Sequence, residues 1–102
     1  LDLFNSEDYP MALTERTEND KIEVVGKYKT VQVRTATVIE KDGVEIARTF
    51  HRKSLQPGTL NDSDALVDTD LSGEDADVAG IATAVWTDAV KEAYRLMLVA
   101  TK

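Results

Sequence analysis

The sequence predicts an α+β fold, a three-stranded antiparallel β-meander packed with one long C-terminal amphipathic helix. Two patterns carry this expectation. Over about residues 21–54, β-branched residues alternate with polar ones and are interrupted by Asp42-Gly43, while over about residues 73–100 apolar residues recur at helical spacing. A chain of 102 residues has room for one core, so residues 20–102 are read as a single domain preceded by an N-terminal segment, 1–19.

Composition narrows the functions. Nineteen acidic residues against twelve basic ones give a net charge of −7, a field that repels nucleic acid and anionic membrane and favours a basic protein partner. The absence of cysteine removes disulfides, thiolate metal sites and cysteine nucleophiles. No apolar run approaches the roughly 18–20 residues of a membrane helix, and no basic stretch leads into an apolar one at the start, so neither a membrane location nor export by a signal peptide is expected.

Leu1 to Pro10 are acidic and unpatterned, and Met11 is a candidate initiator. From Asp20, Ile22, Val24 and Tyr28 alternate with Glu23, Lys27 and Lys29, and Gly26 marks a bulge or bend. In the second strand, Val31, Val33, Thr35, Thr37 and Ile39 share one face, with Gln32, Arg34 and Glu40 on the other. Asp42-Gly43 supplies the positive φ values of a two-residue hairpin turn. That turn sets Ile39 opposite Ile46, Val38 opposite Ala47, Thr35 opposite Phe50 and Arg34 opposite His51, at the cost of pairing Glu40 with Glu45. The third strand runs from Val44 to about His51, and Pro57-Gly58 ends it.

Residues 57–77 form an acidic connector with Asp62, Asp64, Asp68, Asp70, Glu74, Asp75 and Asp77, long enough to hold an extra turn or short strand. Ser72 and Asp75 resemble a capping box at the helix start. Beyond it Val78, Ala82, Val85, Ala89, Ala93, Leu96 and Ala100 form one stripe, which Trp86, Val90 and Met97 widen. Such a helix is about 40 Å long, more than strands of about eight residues can cover. The surplus predicts a homo-oligomer joined through Val85, Trp86, Ala89, Ala93 and Leu96.

Sites of chemistry are sparse. Asp68-Thr69-Asp70-Leu71-Ser72-Gly73 copies the first half of a calcium loop, but Ala79 stands where the bidentate glutamate belongs, so a solvated loop before a helix is the better reading. His51, the only histidine, has Arg52 and Lys53 beside it and no carboxylate placed to orient it, a poor general base. Arg34, Arg48, His51, Arg52 and Lys53 form a basic patch, for which pairing with the acidic connector is favoured over nucleic acid. No catalytic residue, metal site or cofactor motif is expected.

In three blocks the chain resembles short uncharacterised proteins encoded by marine tailed bacteriophages. They are Asp20-Lys21-Ile22-Glu23-Val24-Val25-Gly26, Val33 to Val38 with Thr49-Phe50-His51-Arg52, and Ser72 to Asp77 with Ala84-Val85-Trp86-Thr87-Asp88-Ala89-Val90. The likeness covers about two-thirds of the chain and implies a small virion, assembly or accessory protein, found in the host cytoplasm or the virion and touching other virion proteins. That group has no defined activity, so no functional residue transfers. The reading is a non-enzymatic structural or assembly protein that self-associates. The alternative is an acidic accessory protein that inhibits a basic host or viral protein through the connector.

Overall fold

A computed structural model describes residues 13–102; the expectations for Leu1 to Pro10 and for Met11 lie outside the described residues. The elements in chain order are β1 (Leu13–Val25), β2 (Thr30–Lys41), β3 (Val44–Leu55), β4 (Gly58–Leu60), β5 (Leu66–Asp68), α1 (Ala76–Val85) and α2 (Asp88–Thr101). The fold class is α+β, with β1, β2 and β3 forming an antiparallel sheet in that order and β4 and β5 forming a small separate hairpin. Asp42 and Gly43 take φ values of 53° and 82°, the left-handed pair that closes a two-residue turn between β2 and β3.

The chain divides into two compact units, and the three long strands run through both. One unit takes the chain up to Lys21 together with Arg34–Arg52; the other takes Ile22–Val33 and Lys53–Lys102. β1 starts at Leu13, seven residues earlier than its apolar pattern suggests, so 13–19 belong to the sheet. Leu13 to Asp20 is almost entirely polar, and the segment is a strand because β2 offers it a ladder, not because of its own propensity.

In the helical unit, Val31 and Val33 of β2 pack with Val78, Ala82 and Trp86, and Ile22, Leu55, Leu71, Val85 and Val90 close around them. The buried positions of β2 then change parity. Val31 and Val33 are followed by Ala36 and Val38, while Thr35, Thr37 and Ile39 stay partly exposed, so the single apolar face expected from Val31 to Ile39 does not exist. Small Ala36 and Val38 share their parity with Arg34 and Glu40, the side on which long charged side chains gather.

The single long helix of the sequence reading is two helices. Trp86 leaves helical geometry at φ −87° and ψ 70°, although its N–H still reaches the Ala82 carbonyl at 2.9 Å. Thr87 restarts the helix as an N-cap, its hydroxyl accepting the Val90 N–H at 3.2 Å. The first helix also begins later than about residue 73. Asp75 is its N-cap and makes no side-chain cap bond, while Ser72 donates its N–H to the Asp70 carboxylate at 2.9 Å within the preceding loop.

The connector is more ordered than its composition suggests. Gly58 pairs with Asp68, Thr59 with Val67 and Leu60 with Leu66, and the Asn61 side chain closes the loop by accepting the Ser63 and Ala65 N–H groups at 2.8 and 3.0 Å. Helix α2 lies against this hairpin. Arg95 donates to the Asp64 carbonyl at 3.1 Å, Lys102 pairs with the Asp64 carboxylate at 2.6 Å, and Lys91 pairs with Asp68 at 3.2 Å.

Candidate functional site: a charged sheet face and an exposed outer strand

The five residues of the expected basic patch do not form one cationic surface. Arg34 makes a two-pronged pair with Asp20 of β1, at 3.0 Å from Nε and 2.9 Å from Nη2. Arg48 grips Glu45 in the same way at 2.9 and 2.8 Å, and its Nη1 lies 3.7 Å from Asp20. Lys53 reaches Glu74 of the connector at 2.6 Å. His51 and Arg52 are exposed, and Arg52 lies over the Phe50 ring at 5.7 Å. Opposed charges within the sheet have replaced the bare patch.

Two-pronged arginine–carboxylate pairs fix geometry as well as charge. Hydrogen bonding from Arg34 holds the Asp20 carboxyl below the usual carboxylate range, and Arg48 does the same to Glu45. The Arg48 guanidinium is raised in turn, chiefly by Glu45. Arg16 pairs with Glu18 and lies 3.5 Å from Glu40. The two glutamates expected to repel each other across the hairpin, Glu40 and Glu45, therefore have separate arginine partners. Arg34 covers Phe50, its guanidinium 4.3 Å from the ring centre.

The outer strand β3 is exposed along nearly all its length. Val44, Ile46, Arg48, Phe50 and Arg52 share one parity, and 65% of Val44, 57% of Ile46 and 43% of Phe50 is open to solvent. Neither composition nor periodicity had separated these residues from a core strand, because alternation shows which residues share a side and not whether that side is covered.

The proposed helical interface is split by burial. Trp86 is in the core, its Nε1–H donating to the Lys29 carbonyl at 2.7 Å, and Val85 is partly buried against that core. Ala89, Ala93 and Leu96 are exposed, Leu96 by 53%. The buried side of α2 is centred instead on Tyr94, which meets Tyr28 edge to face at 5.5 Å and was missed because it lies off the alanine-rich stripe.

Two open hollows lie in the helical unit. The larger, about 320 Å³, is lined by Leu60, Tyr94, Leu98 and neighbours that include no carboxylate or imidazole. The other, about 250 Å³, holds the Asp68–Lys91 ion pair above Trp86. Among the described residues no three His, Asp or Glu side chains gather as a metal site, and no helix is long and apolar enough to cross a membrane. The chain matches no protein-family model, no curated protein and no solved structure.

Proposed function

We propose that this chain is a non-enzymatic structural or assembly component that works by associating with copies of itself, in keeping with its resemblance to small phage proteins. The observation that carries the reading is β3, an outer strand of twelve residues whose apolar side chains Val44, Ile46 and Phe50 face solvent. An exposed edge strand of this kind offers unpaired backbone groups and apolar area together, the two ingredients of sheet-mediated association. The alternative, a decoy that binds basic proteins through the acidic connector, is weakened because Asp64, Asp68 and Glu74 are already paired with Lys102, Lys91 and Lys53.

The test is solution mass by light scattering, for the native chain, for Ile46→Asp with Phe50→Asp, and for Leu96→Asp. Assembly lost in the β3 variant and kept in Leu96→Asp supports the reading as stated. Assembly lost only in Leu96→Asp moves the surface back to the helix. A monomer at tens of micromolar for the native chain rejects self-association.

A further inference from the structure

Among the described residues, the two outer strands of the sheet carry opposite charge. β1 has four acidic residues, Glu15, Glu18, Asp20 and Glu23, against two basic ones, Arg16 and Lys21. β3 has three basic residues, Arg48, Arg52 and Lys53, against the single acid Glu45. With His51 neutral, the formal charges are therefore −2 for β1 and +2 for β3. Internal pairs take up part of this charge, Asp20 with Arg34 and Lys53 with Glu74, while Glu15 stays exposed on β1 and Arg52 on β3.

Charged edges ordinarily prevent sheet-to-sheet pairing, because like edges meet. Here the rule divides by partner. β3 against β3 brings two positive strands together, and β1 against β1 two negative ones. Only β3 of one copy against β1 of another brings opposite charges into register range, where cross-strand pairs of opposite sign stabilise and like pairs oppose. Length agrees, since β1 has 13 residues and β3 has 12. Exposed apolar residues on both edges, Leu13 on one and Val44, Ile46 and Phe50 on the other, add area to cover.

Resting on the self-association reading above, we infer that the occupant of the β3 edge is the β1 edge of a second copy of this chain. Such a contact is head-to-tail: each copy uses one edge and leaves the other available, so the association repeats from copy to copy, as a closed ring or an open filament, instead of stopping at a two-fold dimer. The signs of the two edges select the partner, and the backbone ladder supplies the contact.

The experiment reverses each edge with exposed positions outside the mapped ion pairs. Glu15→Lys with Thr17→Lys reverses the sign of β1, and Thr49→Glu with Arg52→Glu reverses that of β3. Mass is read by light scattering at low and at high salt for each double variant, for the chain carrying all four changes, and for an equimolar mixture of the two double variants. Circular dichroism checks that each variant remains folded. The expected result is assembly above two copies for the native chain and loss of assembled mass for each double variant alone. Recovery is expected in the fourfold variant and in the mixture, where each edge again meets its opposite. A native assembly that all these reversals leave unchanged, or one that stops at two copies, overturns the edge assignment while leaving self-association standing. A native chain that is monomeric at both salt concentrations overturns both.

Discussion

The indole N–H of Trp86 donates to the backbone carbonyl of Lys29 at 2.7 Å, joining the break between α1 and α2 to the turn between β1 and β2. Lys29 needs such an anchor. Its φ of 54° lies in the left-handed region that a lysine seldom occupies, and its N–H closes the turn onto the Gly26 carbonyl at 3.2 Å. One side chain thus serves as core volume, helix terminator and turn clamp.

Replacing Trp86 separates these roles. Trp86→Phe keeps most of the ring but leaves the Lys29 carbonyl without its donor, a loss of about 1–2 kcal/mol. Trp86→Ala also opens a cavity among Val31, Val33, Val78 and Ala82 and is expected to cost about 3–5 kcal/mol. Urea unfolding followed by circular dichroism measures both. Equal losses in the two variants would show that the hydrogen bond, not the packing, dominates.

Helix α2 depends on a hydroxyl at its first residue boundary. Thr87→Ala removes the acceptor of the Val90 N–H and is expected to destabilise by about 1 kcal/mol, whereas Thr87→Ser retains the cap. Thermal unfolding of the two variants side by side checks this. A Ser variant as unstable as the Ala variant would mean that the threonine methyl, not the cap, matters.

Gly58 is held by contact rather than by backbone angle. A Cβ added there would collide with the Val67 carbonyl and come within 2.9 Å of Leu66 Cγ, across the pairing of β4 with β5. Gly58→Ala must push the hairpin strands apart and is expected to cost about 1–3 kcal/mol, with faster amide exchange at Asn61 and Ala65, whose backbone groups close that loop. Gly80→Ala is the control, since a Cβ there meets nothing within 4 Å and the residue is in the middle of α1, where alanine favours the helix. Protection unchanged in Gly58→Ala would remove the steric argument.

These results separate what local sequence can say from what it cannot. The Asp42-Gly43 turn and the packing of Val78 and Ala82 on the sheet were legible, because turn chemistry and helical spacing are properties of neighbouring residues. The break at Trp86 was not. Apolar spacing continues across it through Val90, and the hydrogen bond that holds it comes from a turn 57 positions away. The same limit applies to Arg34, whose carboxylate partner Asp20 lies on the adjacent strand. Partners remote in sequence decide which charges are exposed, and a run of basic residues cannot reveal them.

The arginine–carboxylate pairs give the sheet a pH dependence with a definite sign. Asp20 and Glu45 both titrate lower in the folded chain, because Arg34 and Arg48 hold their charged forms by hydrogen bonds. A lowered folded value means that the unfolded chain takes up protons first as pH falls. The contribution is therefore complete above the ordinary carboxylate range near pH 4, and it is lost progressively as pH falls through the folded values. Lowering the pH from about 6 to about 2 should release Arg34 and Arg48 and shift the amide resonances of Arg34, Arg48 and Phe50, the ring that Arg34 covers. The double variant Asp20→Asn with Glu45→Gln cannot lose a charge at either position, so that acid response should be largely absent, with weaker pairing at all pH values. An acid response of undiminished size in the double variant would place its origin in other carboxyls, such as Asp70, which the Ser72 N–H also holds low, or Glu92, which Arg95 holds low.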